Sequence, residues 1–173
     1  MAKRRRKREI REKKIARRRF WRFLITFAIC SVTLYLTYYI FRQSFEPLKN
    51  FTATITANLI GAFGFEARSS GNIVFVDGFR MEIIDECVGI FSSIVYVSGV
   101  IAYPSSLRSK SIGIAFGVPT LYVIDIFRLV ILAVVGVSNP EMFDYVHVYL
   151  WQATFILFII AVFYVWVSRY GEV

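Results

Sequence analysis

The stretch DECVGIFSSIVYVSGVIAYP, residues 85 to 104, begins with two carboxylates and a cysteine and continues as an apolar run. A bilayer core is about 30 Å thick and needs about 17–25 helical residues to cross. The run is therefore long enough to cross a membrane, at the short end of that range, with Cys87 at its mouth. A cysteine that only packs in a core would lie deeper, so the position of this thiol raises the question of a function, although an unpaired cysteine taken alone is often an inert core residue.

Further apolar runs give the same signal elsewhere in the chain. Together they predict four transmembrane helices, at about 20–41, 87–104, 111–137 and 147–168. The chain is 57% hydrophobic with a mean hydropathy of +0.56, which is typical of an integral membrane protein. Pro119 predicts a kink in the third of these helices.

Two shorter segments complete the predicted fold. Residues 51–65, FTATITANLIGAFGF, are short and polar for a span and predict a re-entrant or interfacial helix. Residues 72–84 predict a β-hairpin, because Asp77-Gly78 is a favoured two-residue turn. We therefore predict an all-α integral membrane protein: a bundle of four transmembrane helices plus that added helix and a short extracytoplasmic β-hairpin. Residues 20–173 form a single transmembrane catalytic domain in this interpretation.

The net charge of +9 is concentrated at the start of the chain. Residues 1–22 hold 13 of the 21 Lys and Arg residues, and the remainder has a net charge of −2. We interpret residues 1–19 as a basic cytoplasmic tail that orients an uncleaved signal anchor, since the run at 20–41 is too long for a signal peptide. Binding of the tail to anionic lipid or nucleic acid is the alternative. No nucleic-acid partner is predicted.

The charges between the apolar runs predict the orientation in the plasma or inner cell membrane. Segment 43–86, with a net charge of −3, falls outside, and the loop with Arg108 and Lys110 falls in the cytoplasm with both termini. The loop at 138–145 has no Lys or Arg and falls outside. A full span at 51–65 would invert the later helices and expose the basic loop.

Three polar side chains from different spans fall at one predicted depth. Cys87 opens the second span, His147 opens the fourth, and Arg128 lies 17 residues, about 26 Å of helix, after Ser111 in the third. A charge within an apolar span is costly and normally faces the bundle interior or an aqueous cavity. The structural alternative for Arg128 is an ion pair with Asp125, three residues earlier on the same face.

These side chains have the chemistry of a cysteine nucleophile. A helix N-terminus, Arg128 and a protonated His147 would each favour the thiolate of Cys87. His147 can protonate a leaving amine and later deprotonate an incoming nucleophile. Arg128 can stabilise the thiolate or a tetrahedral oxyanion.

Four more residues are candidates for supporting roles: Asp125, Asp144, Glu86 and Gly89. Asp144 precedes His147 by three residues and can orient its ring, and Gly89 can let another helix approach closely. Cys30 and Cys87 fall at different depths, so a disulfide between them is not expected. There is no CxxC pair and no Cys/His cluster, so neither a metal nor a cofactor is predicted.

Three blocks of sequence resemble the exosortase/archaeosortase family of multi-pass membrane cysteine transpeptidases. They are ECVGI around Cys87, IDIFRLVIL around Arg128 and NPEMFDYVHVYLWQ around His147. The third block and the small size of the chain are most similar to the exosortase H type. The chain has Val88 where the family usually has a small polar residue, and Asp125 where it often has asparagine.

The resemblance implies a site facing away from the cytoplasm, with Cys87 as nucleophile and Arg128 and His147 as its partners. Its substrates would be exported proteins with a C-terminal motif, a transmembrane helix and a basic cluster. The new C-terminus would be held as a thioester and passed to a membrane lipid or another amine or hydroxyl acceptor. Two alternatives stay open: a membrane cysteine endopeptidase without transfer, and a non-enzymatic membrane subunit in which Arg128 and Asp125 join helices.

Overall fold

The computed structural model describes the backbone of residues 2–171 and the side chains of residues 6, 11–149, 153 and 155–171. Within this part of the chain, long helices surround one small sheet. The helices are α1 (Ala2–Ile40), α2 (Glu46–Ala62), α3 (Ile90–Ala102), α4 (Leu107–Ser138) and α5 (Phe143–Tyr170). The strands are β1 (Ala67–Ser70), β2 (Ile73–Val76) and β3 (Phe79–Glu82). Short 3-10 turns cover Arg42–Phe45, Asp85–Cys87 and Pro140–Met142.

Among the described residues, two helices are long and apolar enough to cross a membrane: Arg11–Ile40 within α1, and α4. The helix α3 and the stretch Phe155–Tyr170 of α5 are apolar but shorter. The 13 residues of α3 cover about 20 Å, less than a bilayer core of about 30 Å. The mainly helical fold is thus confirmed, and among the described residues two of the four predicted transmembrane helices meet the length that a span requires.

The predicted second span begins in the wrong place. Residues 87–104 are helical only from Ile90 to Ala102, because Gly89 has a φ of +67° and Tyr103 is extended before Pro104. Cys87 lies in the 3-10 turn before this helix. The prediction that Cys87 starts a membrane helix is therefore wrong.

The last two helices begin earlier than predicted because of local caps. The Ser106 side chain accepts a hydrogen bond of 3.2 Å from the Ser109 N–H, so α4 starts at Leu107 and continues through Pro119. The Asn139 side chain accepts a 3.3 Å hydrogen bond within the turn that leads into α5. As a result α5 starts at Phe143, and His147 lies in its second turn.

The hairpin predicted at 72–84 is present as β2 and β3. Asp77 and Gly78 both have positive φ, of 45° and 86°, as a type I′ turn requires. The strand β1, which was not predicted, pairs antiparallel with β2 and gives the order β1-β2-β3. The strand β3 is therefore one edge of the sheet.

The sheet packs against α2, which overlaps most of residues 51–65 and begins earlier, at Glu46. Small side chains on its buried face let the helix lie close to β1 and β2. The small side chains are those of Thr52, Ala53, Thr56 and Ala57, and Ile60 completes the buried face. The interfacial or re-entrant placement of this helix stays a prediction.

Two apolar clusters hold the described part of the fold together. The first joins α2, the sheet and the second half of α4, and it includes Cys87 and Val88. The second joins α3, α4 and α5 around Tyr96 and Trp166. The Tyr96 ring packs so closely on Gly117 of α4 that a Cβ there would lie 2.2 Å from it, which brings these helices together.

Candidate active site

Cys87 and His147, which come from separate elements, line one cavity of about 280 Å³. We term it the site cavity. The sheet, the turn before α3, α4 and the start of α5 provide its other walls. These lining residues are Arg80, Met81, Glu82, Ile84, Leu129, Phe143 and Asp144. Two of the three predicted catalytic residues therefore share one space.

The side chain of Arg128 contacts the turn that carries Cys87 at a main-chain carbonyl of that turn. The side chain of Arg128 is 2% exposed, and its Nη2 donates a 3.4 Å hydrogen bond to the main-chain oxygen of Glu86. Its Nη1 forms an ion pair of 3.0 Å with Asp125 Oδ1, as the alternative for this residue anticipated. Arg128 is not among the lining residues of the site cavity, so its link to Cys87 is the carbonyl of the preceding residue.

Gly89 places the same turn against α4. With its φ of +67°, a Cβ added at Gly89 would lie 2.5 Å from Asp125 Oδ2. A side chain at this position would therefore displace the carboxylate that pairs with Arg128. Gly89 has the predicted close approach, made here to a carboxylate.

A second cation holds the turn from the other side. Lys49 Nζ of α2 lies 3.1 Å from Asp85 Oδ1 and 2.6 Å from Glu46 Oε1. Burial opposes ionisation of Asp85, but the neighbouring Tyr38 hydroxyl and the Lys49 ammonium outweigh it, and the pKa of Asp85 is lowered. Lys49 was not predicted as part of the site, although it is one of only three basic residues in the acidic segment 43–86.

The thiol of Cys87 is almost fully enclosed, with the residue 3% exposed. Burial raises the pKa of the Cys87 thiol above its ordinary value. Hydrogen bonding at the Ile84 backbone and the charge of Arg128 oppose this rise without cancelling it. The predicted lowering of the Cys87 pKa is wrong because burial outweighs the nearby cation. Both cysteines are free.

The His147 ring is positioned by an aromatic neighbour. Phe143, one helical turn earlier in α5, stacks on it with ring centroids 5.8 Å apart and an interplanar angle of 19°. The buried Nδ1 of His147 has no hydrogen-bond partner among the described atoms. Asp144 lines the same cavity but does not bond this nitrogen, so the predicted orientation of the ring by Asp144 has no hydrogen bond at Nδ1 to support it. The i,i+4 spacing of Phe143 and His147 was a readable signal that the sequence analysis did not use.

The strand residues Arg80, Met81 and Glu82 are the other part of the site that the sequence analysis missed. They reach the cavity only because the hairpin folds towards the start of α5, a tertiary relationship with no local sequence signal.

Two features of Cys87 and His147 suit acyl transfer. A thiol can act as a nucleophile, and an imidazole in the same cavity can move its proton.

The fold and the site together define a class: a helical membrane protein in which a cysteine and a histidine share a cavity beside a small sheet. The chain belongs to the transmembrane exosortase family, whose model matches residues 15–166. It is 24% identical over 119 residues to the probable archaeosortase E of Methanocaldococcus jannaschii. That match covers 69% of this chain and 62% of the relative, so this chain spans less than two thirds of the length of that protein. No solved structure matches the chain.

The predicted membership of the exosortase/archaeosortase family is thereby confirmed. Enzymes of this family are processing peptidases and transpeptidases that act on exported proteins with C-terminal sorting signals. The likeness to the exosortase H type stays a prediction.

Proposed function

We propose that this chain is a membrane-embedded cysteine protease and transpeptidase that cleaves the C-terminal sorting signal of exported proteins. The observation that carries this proposal is the site cavity, where the sulfur of Cys87 and the ring of His147 line the same space. Membership of the transmembrane exosortase family supports the substrate class. The buried Arg128 supports a reacting centre that develops negative charge.

In the first step, the Cys87 sulfur attacks the carbonyl carbon of the scissile peptide bond while His147 accepts the thiol proton. The C–N bond of the tetrahedral intermediate then breaks, and His147 passes that proton to the departing amine. The products of this step are a thioester on Cys87 and the released C-terminal tail. The raised pKa of the Cys87 thiol fits this order, because a thiol that is protonated at rest needs a base in contact with it.

In the second step, an amine or hydroxyl of an acceptor, such as a membrane lipid, attacks the thioester carbonyl. His147 removes the proton from the acceptor, the C–S bond breaks, and Cys87 takes the proton back. The exported protein is then joined to the acceptor through an amide or ester bond.

Arg128 acts in both steps as a fixed positive charge and as a support for the turn. Its hydrogen bond to the Glu86 carbonyl fixes the backbone next to the nucleophile. Asp125 holds the guanidinium in place, and Gly89 admits the turn to that position. Asp144 stands at the rim of the cavity, where it can meet a polar group of the substrate.

The proposal includes the predicted arrangement in the membrane. The helices α1, α3, α4 and α5 cross the cell membrane, with both termini in the cytoplasm and the site cavity on the outer side. The short helix α3 is supplemented by Tyr103-Pro104 after it, and the turn that carries Cys87 stays at the outer surface of the membrane. The scissile bond of a tailed protein lies beside its own membrane helix, so a site at the membrane surface suits this substrate.

Replacement of the nucleophile tests the chemistry. Cells that express Cys87→Ala should retain the tail of a host protein with a motif, a membrane helix and a basic cluster. The matched variant Cys30→Ser should remove the tail normally, because Cys30 lies in α1 away from the site cavity. Tail removal by Cys87→Ala at the wild-type rate would overturn the proposal. The mass of the new C-terminus separates the two reactions, since an added acceptor indicates transfer and a free carboxylate indicates hydrolysis.

Single cysteines introduced into a chain without Cys30 and Cys87 test the orientation. Cysteine at the exposed position Glu66 should react with an impermeant thiol reagent on intact cells. Cysteine at the exposed position Arg108 should react only after lysis. The reverse pattern would show that the proposed orientation is inverted.

A further inference from the structure

The edge of the sheet beside the site cavity has backbone groups that are not used by the sheet. The strand β3 pairs on one side with β2 and has no strand on its other side within the described chain. Three consecutive residues of β3, Arg80, Met81 and Glu82, line the site cavity. Successive side chains of a strand point to opposite faces, so three consecutive lining residues indicate that the strand presents its edge to the cavity.

The hairpin register identifies which backbone groups face outward. The type I′ turn makes Val76 and Phe79 a hydrogen-bonded pair, and such pairs alternate along an antiparallel ladder. The Ile83 N–H donates to the Asn72 main-chain oxygen at 2.8 Å, which continues this alternation. The N–H and C=O groups of Arg80 and Glu82 therefore point away from β2. Neither residue has a backbone hydrogen bond outside the sheet within the described part of the chain.

The site cavity next to the free edge of β3 is also lined by the proposed reacting groups, Cys87 and His147. The cavity lies between β3 and the start of α5, and Cys87 follows the end of β3 by five residues. A neighbouring strand lies about 4.8 Å from its partner, so a chain paired with β3 would pass through the space that Cys87 and His147 line. At about 280 Å³ the cavity is close to the lower limit for ligand sites, which suits a short extended segment.

We propose that the sorting motif of the substrate binds as an added β-strand on the free edge of β3, hydrogen-bonded to the backbone of Arg80 and Glu82. This inference rests on the proposed function, since it names how that site holds its substrate. The occupant is the extended segment that precedes the membrane helix of the substrate. Main-chain hydrogen bonds supply affinity in this mode of recognition, and alternate side chains of the bound segment supply specificity.

The pairing places constraints on the bound segment. Every second side chain of the motif faces the core-side wall of the cavity, where Leu129 and Phe143 lie. The others face the same side as Arg80 and Glu82. Proline is excluded from the positions of the motif whose N–H groups bond to β3, because proline lacks that hydrogen.

Proline substitutions test the backbone bonds directly. Arg80→Pro removes an outward N–H without removing a bond to β2, and an edge strand tolerates proline at such a position. Arg80→Ala is the matched control, because it removes the same side chain and keeps the N–H. The probe is a carrier protein fused to a host tail that cells remove only when Cys87 is intact. Full-length chain in phospholipid vesicles should remove this tail about 2- to 10-fold more slowly with Arg80→Pro than with Arg80→Ala.

The opposite edge of the same sheet provides a second control. The N–H of Ser69 in β1 also points away from β2 by the same alternation, but Ser69 does not line the site cavity. Ser69→Pro and Ser69→Ala should therefore remove the tail at equal rates. Equal rates for Arg80→Pro and Arg80→Ala would overturn the inference and leave the proposed function intact. If no host tail depends on Cys87, the proposed function and this inference both fail.

Cross-linking tests the geometry without turnover. Arg80→Cys is made in a chain with Cys30→Ser and Cys87→Ala, and single cysteines are scanned along the motif of the same fusion. A short bis-maleimide, which adds to one thiol at each end, should join the two proteins at every second motif position, since adjacent strands place side chains opposite each other with a period of two. Cross-linking without this periodicity, or cross-linking of two copies of the chain in place of the fusion, would overturn the inference.

Discussion

Arg128 and Asp125 form an ion pair of 3.0 Å on α4, with side chains only 2% and 7% exposed. The same guanidinium donates to the carbonyl of Glu86 on the turn that carries Cys87. The pair is therefore a structural link between α4 and the turn, as well as a source of charge near the thiol. Comparing the stability of Arg128 variants with their activity distinguishes the structural role of Arg128 from its role as a charge near the thiol.

Removal of one partner of this pair should damage the fold more than removal of both. Arg128→Met leaves the Asp125 carboxylate buried and unpaired, and such a change costs about 3–5 kcal/mol. Arg128→Met combined with Asp125→Leu should recover most of the loss in thermal unfolding in detergent. Tail removal should stay absent in the double variant, because the positive charge near Cys87 is gone. A double variant with wild-type activity would show that Arg128 is needed only for stability.

Lys49→Met should loosen the turn by breaking its link to α2. The Lys49–Asp85 pair is partly exposed, so we expect a loss of about 1 kcal/mol or less. Tail removal should slow more than this loss explains, because the turn carries the nucleophile. Lys49→Asp with Asp85→Lys should restore much of the rate by recreating the pair, whereas each single reversal should not. Failure of the exchange to restore the rate would argue against a positioning role.

The same pair gives a prediction about acid. The pKa of Asp85 is below its ordinary value of 3.8, so its stabilising contribution is present above that pH and is lost as the pH falls through the lowered value. The pKa of Lys49 is raised, so its contribution is lost only at high pH, above 10.5. The stability difference between wild type and Lys49→Met should therefore be constant near neutrality and shrink below pH 3.8. Chemical denaturation at several pH values measures this difference.

The resting thiol of Cys87 should react slowly with alkylating reagents. In Cys30→Ser, the rate of iodoacetamide alkylation of Cys87 should rise with pH and reach its midpoint above the pKa of an ordinary thiol, because burial raises the pKa of Cys87. Mass spectrometry of the intact chain measures the alkylated fraction at each pH. A midpoint below the ordinary value would show that the cation outweighs burial.

His147→Gln should abolish most tail removal while the chain stays folded. General acid–base groups contribute about 10²–10⁴-fold, and glutamine cannot move a proton in this way. Asp144→Asn should have a much smaller effect, since Asp144 does not bond His147 Nδ1. Comparable losses in the two variants would assign a direct role to Asp144.

The parts of the fold that were predictable from the sequence are those with local signals. Asp77-Gly78 identified the hairpin, and the long apolar stretch of α4 identified a membrane helix. The strand β1, ARSS, was missed because it has no apolar alternation and depends on pairing with β2. The start of α3 was placed too early because Gly89 has a positive φ, and the carboxylate that leaves no room for a Cβ there belongs to a distant helix.

The candidate site divides in the same way. Cys87, Arg128 and His147 were found because unusual residue types in apolar runs are visible in the sequence. The hydrogen bond from Arg128 to the Glu86 carbonyl was not predictable, because every residue has a carbonyl. The raised pKa of the Cys87 thiol depends on how completely the surrounding elements enclose it, which only the tertiary structure determines.

The approach of Gly89 to Asp125 also has a consequence for the evolution of relatives. A Cβ at position 89 and a carboxylate or amide at position 125 compete for the same space, 2.5 Å apart. Lineages that keep a branched polar side chain at position 125 should thus be confined to glycine at 89. A residue other than glycine should become fixed at position 89 only after the residue at position 125 has been replaced by alanine or glycine. The two positions should therefore covary, with the change at 125 occurring first.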